Sequence, residues 1–213
     1  MNDTIRLVMD NLKKNRMAVD FVEHKEDVIA KIQELIPAGS TVASGGSRSL
    51  DETGVIEFVK NGAYTYYDRM APDLTPEQRQ EMALKGNTAD YYLCSSNAVT
   101  EAGELYNVDG NCNRISAIAF GPKKVIMVVG INKIVTDLDA AIRRVKTIAA
   151  PLNTKRLNCD TYCHATGVCM GVDGQMTDGC HSAARICCNY LISGQQRVQD
   201  RIHIIMVSEN LGF

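Results

Sequence analysis

The sequence carries almost no net charge: 23 Lys and Arg stand against 25 Asp and Glu. It lacks the basic surplus that a nucleic-acid backbone or an anionic membrane surface would select, so neither is expected as a partner. It also lacks any uninterrupted apolar run long enough to span a bilayer. Its first residues, MNDTIRLVMDNLKKN, do not follow the basic-then-apolar order of a secretory leader, and a cytoplasmic location is expected. No internal repeat and no low-complexity tract divides the chain. With 213 residues and 45% hydrophobic content it can bury one sizeable core, so one α/β domain over residues 1–213 is expected.

What is present begins with alternation. Ile5, Val8 and Leu12 fall at helical spacing, as do Val28, Ile29, Ile32, Leu35 and Ile36 before Pro37 and Gly39. Thr41-Val42-Ala43-Ser44 reads as a short buried strand, followed by a Gly loop and a helix through Val55, Ile56 and Val59. Strands are expected at 64–67, 91–95, 124–130 and 201–207, with KVIMVVG at 124–130 the clearest. Helices are expected from Thr75-Pro76 to Lys85 and from Thr136 to Ala149, the second with acids in its first turn and bases near its end. Strands alternating with helices imply a mostly parallel sheet with helices on both faces.

Eight cysteines are the second feature, and six of them fall between 159 and 188. Reducing cytosolic conditions disfavour a disulfide framework, so metal binding or redox chemistry is the better reading. From about 158 to 200, Cys, Gly, Asp and Thr replace the aliphatic periodicity. Such an excursion is too poor in apolar residues to pack unaided, and metal ligation is the expected support. Cys94 ends a buried strand and reads as core, whereas Cys112 lies in a polar segment and is a candidate to face a cleft.

The Gly loop comprises Ser44, Gly45, Gly46, Ser47, Arg48 and Ser49. A strand–loop–helix of this kind can offer backbone N–H groups, hydroxyls and a guanidinium to a phosphate or carboxylate; it can equally be a plain tight turn. It matches neither the P-loop nor G-x-G-x-x-G. A second polar segment, Ser95 to Arg114, follows a buried strand. Asn97 and Glu101 then fall near that strand's carboxyl end, where open α/β sheets bind ligands. Glu101 is the candidate general acid, base or nucleophile. The alternative is a hairpin with its turn at Asp109-Gly110.

Taken together, SSNAVTEAGELYNVDGNCNR, FGPKKVIMVVGINKIV and RIHIIMVSENLGF resemble the lactate-utilisation (LUD) domain family over nearly the whole chain. The resemblance implies the fold shared by ribose-5-phosphate isomerase, glucosamine-6-phosphate deaminase and CoA transferases (NagB/RpiA/CoA-transferase-like). It further implies that the Ser44–Ser49 loop holds a phosphate or CoA-like group. Asn97, Glu101, Asp109, Asn111 and Arg114 are expected to line a cleft beside that loop, and Lys133, in the GINKIV turn, is a further contact for an anion or a solvated loop lysine. Some family members take part in oxidising lactate to pyruvate alongside iron–sulfur partners.

Short stand-alone members carry a tail of the form C-x5-C-x2-C-x6-C. Here Cys163 and Cys169 supply the first pair and Cys180 and Cys187 the second, but ten residues, Met170 to Gly179, separate the pairs where the family has two. Four thiolates complete the ligand set of a 4Fe–4S cluster, with zinc the alternative. Zinc ribbons usually present C-x2-C knuckles, absent here, so iron–sulfur is the expected cofactor. Cys159 and Cys188 are spare thiols able to replace a ligand. His164 and His181 follow ligand positions and are expected to stand outside the ligand set.

Two functions follow as expectations. One is an enzyme or redox subunit of organic-acid metabolism, working on a small anionic metabolite with a redox partner protein. The other is a non-catalytic metabolite-binding or redox-sensing protein with a structural cluster or zinc. A homodimer is compatible with either.

Overall fold

The structure, a computed structural model, describes residues 1–213. The chain opens with α1 (Asp3–Lys14), β1 (Ala18–Val22) and α2 (Val28–Leu35). It continues through β2 (Thr41–Ser44), α3 (Arg48–Glu52), α4 (Val55–Asn61), β3 (Thr65–Tyr67), α5 (Pro76–Gly86) and β4 (Tyr91–Cys94). Then come β5 (Ala98–Thr100), β6 (Leu105–Asp109), α6 (Asn113–Ala119), β7 (Lys124–Gly130), β8 (Ile134–Val135) and α7 (Leu138–Arg144). A π turn (Val145–Ala149), α8 (Ala150–Arg156), α9 (Tyr162–Thr166), β9 (Asn189–Ser193) and β10 (Ile202–Val207) complete it.

Six strands form one sheet in the order β1-β10-β7-β4-β2-β3, every pair parallel. The period-2 alternation of β7 explains why both faces are covered. Val125, Met127 and Val129 pack with Ile5, Val8 and Leu12 of α1 and Ala117 and Ile118 of α6. Ile126 and Val128 pack on the opposite face with Val28 and Ile32 of α2, Leu50 of α3, and Val55 and Val59 of α4. Local chemistry sets the helix starts: Asn2 accepts the Ile5 amide at 2.9 Å, and Thr75 with Gln78 forms a capping box ahead of Pro76.

Strand order places the ligand crevice. From β2 the chain passes outward to β3, then returns across β2 to β4 and proceeds to β7 on the other side. The carboxyl ends of β2 and β4 thus flank a topological switch point, the position at which doubly wound sheets leave a gap between diverging connections.

Four departures from the sequence expectations have physical causes. Ala18–Val22 is an edge strand whose alternation is interrupted by Asp20; that carboxylate faces His203 on β10 at 2.9 Å. Beside the parallel sheet stands a second, mixed sheet in the order β8-β5-β6-β9. β9 falls inside the Cys-rich excursion and pairs antiparallel with β6, so backbone pairing anchors this segment. The turn of the β5–β6 hairpin lies at 101–104, where Gly103 adopts φ +80°, and Asp109-Gly110 is not a hairpin turn. Instead the Asp109 carboxylate accepts the amides of Arg114 and Ile115 at the start of α6.

Pro151 does not end the helix that begins at Leu138. The backbone widens into the π turn just before it, the Ala150 amide donating to the Val145 carbonyl, and helix resumes to Arg156. A π turn absorbs the missing donor and the ring clash that proline brings to an α-helix interior.

Candidate functional site

Two cavities adjoin. The first is lined by Cys163, Cys169, Cys180 and Cys187 together with Tyr106, Lys146, Thr154, Thr161, Arg185 and Tyr190. Four separate stretches of chain deliver the thiols: α9, the loop after it, the far end of that loop, and the residues entering β9. Neither spare thiol lines this cavity. The Cys188 thiol faces the Arg185 carbonyl at 3.2 Å, and that of Cys159 lies near the Leu157 carbonyl. His164 is held by the Thr154 carbonyl at 3.3 Å and His181 is exposed.

Two basic side chains brace this arrangement. Arg185 donates to the carbonyls of Cys180 (2.9 Å), Cys187 (2.8 Å) and Thr177 (2.7 Å), and to the Tyr190 hydroxyl. Lys146, turned inward by the π turn, donates to the carbonyls of Gly171, Gly174 and Gln175, while its own carbonyl accepts the Cys169 amide. The ten-residue spacer between the cysteine pairs is therefore folded onto a helix rather than left open. Lys146→Met should remove the donor shared by three part-buried carbonyls, costing about 1 kcal/mol, and limited proteolysis should then cut 170–179 faster than in the wild type.

The electrostatics bear on what the thiols can hold. Burial, then the neighbouring thiols Cys163, Cys169 and Cys180, push the Cys187 thiol up to about 12. A thiol so placed resists ionisation unless a cation arrives to reverse the balance. The Thr161 hydroxyl lies 3.4 Å from the Cys163 sulfur, placed to stabilise a thiolate, whereas the Thr154 hydroxyl, 3.6 Å away, donates to the Pro151 carbonyl. The donor set suits a soft metal. Bonds of about 2.3 Å to one zinc ion would set tetrahedral sulfurs roughly 3.8 Å apart. The trio of ligand atoms found within 4.8 Å of one another is instead His24, Glu26 and Glu209, at the surface. No three of the cysteine sulfurs lie within 4.8 Å of one another.

The second cavity is a cleft of about 540 Å³ at the carboxyl ends of the strands. Gly46, Ser47 and Arg48 reach it from β2, Arg69 from β3, Ser95, Ser96 and Asn97 from β4, and Lys133 from β7. Asp109, Asn111 and Arg114 line it too, and Arg156 and Arg185 close it. Six cationic side chains thus meet one acidic side chain, Asp109. That imbalance favours an anion.

Several expected residues take other roles. Glu101 is not brought to the cleft: it sits in the hairpin turn, its amide bonded to Val135 and its carbonyl to Asn11. Ser44 is engaged with the Tyr66 hydroxyl at 2.6 Å, and Ser49 is fully buried against Lys133. Gly45 is a packing position, since a Cβ there would lie 3.1 Å from the Arg114 side chain. The helix after the loop, α3, has only five residues, and Ser47 caps it, so its dipole adds little. Cys94 is core, its thiol pushed up to about 12 by burial, and Cys112 is not a lining residue.

Arg114 has all five N–H donors committed, to Asp109, Ser95, Asn107, Asn97 and Val108. It shapes the cleft without a free fork to offer. Arg69 and Arg156, which the sequence did not single out, stand differently. A Cβ on Gly46 would lie 3.8 Å from Nη2 of Arg69 and 3.9 Å from Nη2 of Arg156, so both guanidiniums converge on the Gly loop. Arg69 Nε is buried with no hydrogen-bond partner. A buried donor left unsatisfied beside a second cation marks a place for an anion.

The cavities share a wall, since Arg185 and Ile186 line both. The Cys188 amide donates to the Asp109 carbonyl, fastening the thiol-bearing segment to the strand that carries the cleft's carboxylate.

The fold and these paired cavities define an α/β protein with a thiol-lined chamber beside an arginine-walled cleft. The chain belongs to the LUD domain family, whose model matches residues 5–207. It is similar in structure to a DUF162 family protein from Deinococcus radiodurans, with a TM-score of 0.53 over 97% of this chain and 96% of that one. At 13% sequence identity that likeness concerns the fold alone. No curated protein matches the chain.

Proposed function

We propose that this LUD domain protein serves organic-acid metabolism of the lactate type, binding a small anionic metabolite in the arginine-walled cleft and carrying a cysteine-ligated 4Fe–4S cluster in the adjoining cavity. The observation that carries this reading is the wall common to both cavities, which sets four thiols beside six cations. Cys163, Cys169, Cys180 and Cys187 would hold the cluster, and Thr161 would donate to one of its thiolates. When bound, such a cluster supplies one-electron chemistry or a rigid staple for the excursion. Arg69, Arg156 and Arg48 bind the anion, and the Asn97 side-chain amide adds orientation. A redox partner protein and a cytoplasmic setting complete the reading.

Anaerobically prepared protein is expected to contain iron and sulfide in near-equal amounts, with a broad visible absorption that bleaches on reduction. Zinc in place of iron would sink the cluster, and absence of both metals would sink metal binding. Titration with inorganic phosphate tests the cleft independently.

Binding without turnover is the second reading, and one observation favours it. The only acidic side chain lining the cleft, Asp109, is committed to Arg114 and to two amides, which leaves no free carboxylate as general base.

A further inference from the structure

A cleft without a free carboxylate still contains one ionisable group of another kind. Lys133 follows β7 in a 3₁₀ turn (Ile131–Lys133) and is 4% exposed. Its Nζ donates to the hydroxyls of Ser49 at 2.8 Å and Ser95 at 2.9 Å, and it forms no ion pair. A lysine buried with neutral partners is rarely a purely structural choice, because an ammonium desolvated without a counter-ion costs more than a methionine of similar shape.

Every charge that faces Lys133 is identifiable. Burial is the largest influence and lowers its affinity for a proton, Arg144 on α7 and Arg114 on α6 lower it further, and Glu52 on α3 and Cys94 on β4 oppose them weakly. The net effect brings Lys133 down to about 7. At neutral pH a solvated lysine is unprotonated in roughly one molecule in several thousand, whereas one titrating near 7 is unprotonated in about half. The two serine hydroxyls hold the amine in place whether or not it carries a proton, since each can donate or accept.

We propose that Lys133 is a nucleophile that condenses with a carbonyl compound bearing an anionic group, a 2-oxo acid or a phosphorylated ketone, held by the arginines of the same cleft. The inference rests on the anion-binding reading of that cleft and adds the reacting atom. The Nζ lone pair forms a bond to the carbonyl carbon as the C=O π bond breaks. The oxygen then gathers two protons, one from the amine and one from solvent, and leaves as water, giving a protonated imine. No oxidant or reductant is consumed. The imine draws electrons from the neighbouring carbon, which is how amine catalysis activates a C–H or C–C bond there.

The test is reductive trapping. The full-length protein is incubated at pH 7 with borohydride and either pyruvate or dihydroxyacetone phosphate, then digested and mapped by mass spectrometry. The expected result is an adduct on Lys133, of the probe's mass less one water plus two hydrogens, formed at least tenfold faster than at exposed lysines such as Lys13. Pyruvate alone reacting identifies a 2-oxo acid, and the phosphate ester alone reacting identifies a phosphorylated carbonyl. The Lys133 rate should rise with pH up to about 7 and level off there, while exposed lysines keep accelerating toward pH 10. Absence of a Lys133 adduct with both probes, or labelling no faster than at Lys13, overturns the proposal. Phosphate titration separates the failures: phosphate bound with no adduct removes the nucleophile but leaves the cleft, and neither signal removes both. Mapping on wild-type protein requires no variant to fold, and Lys133→Met with unchanged circular dichroism should abolish the adduct.

Discussion

Cys187→Ala protein, prepared anaerobically, is expected to hold no more than about a tenth of the wild-type iron, while Cys159→Ala and Cys188→Ala keep theirs. Cys187 is the thiol on which the other three all act, and its carbonyl is gripped by both Arg185 and Tyr190. Removing its sulfur would leave three ligands for the proposed cluster, which needs four. The spares cannot substitute cheaply. Cys188 adjoins Cys187 but its thiol is turned to the Arg185 carbonyl and the surface, and moving it inward would break its amide's bond to Asp109. The consequence should reach the cleft, because Arg185 and Ile186 belong to both walls. Phosphate binding by Cys187→Ala is expected to weaken several-fold, measured by calorimetry. Equal iron in Cys187→Ala and wild type, or iron lost from Cys159→Ala instead, would discard this ligand set.

The parts of this molecule that were legible in the sequence are those where one physical requirement dominated. KVIMVVG announced a strand buried on both faces because every side chain from Val125 to Val129 is apolar, and Val125 through Gly130 are all buried. The cysteines stood out because six of the eight fall between 159 and 188, in a stretch with few apolar residues to hold it. What stayed hidden depends on chain segments meeting from afar. Arg69 lies just past β3 and Arg156 ends α8, and nothing local marks either; only the strand order brings both to Gly46. Glu101 looked catalytic because it follows a strand end, yet the chain turns into a hairpin first and carries it away. The helix expected to end at Ala149 runs on to Arg156, and the π turn within it, which also aims Lys146 at the insertion, had no reason to be expected from composition. The insertion between the cysteine pairs is closed by that same lysine, a contact between a helix and a loop that spacing alone does not reveal.

Arg114→Met is expected to cost about 3–5 kcal/mol of stability, the range for breaking a buried ion pair by removing one partner. The Asp109 carboxylate is only 10% exposed, and without Arg114 it keeps two amide donors but no cation. The carbonyls of Ser95 and Val108 and the amide oxygens of Asn97 and Asn107 lose a donor at the same moment. Arg114→Lys should recover little, since one ammonium cannot reproduce a five-donor fork. Denaturant titration would measure the loss, and a change under about 1 kcal/mol would contradict this accounting. Arg69→Met supplies the opposite expectation from the same cleft. Its guanidinium has no hydrogen-bond partner to lose, so stability should hold or rise slightly. Phosphate affinity should fall roughly 10- to 100-fold, the effect of one or two charge-assisted hydrogen bonds. If both variants lost affinity equally with stability intact, Arg114 would be a direct ligand and its hydrogen bonds incidental. If the effects separate, the arginines divide between one that builds the wall and one that touches what binds there.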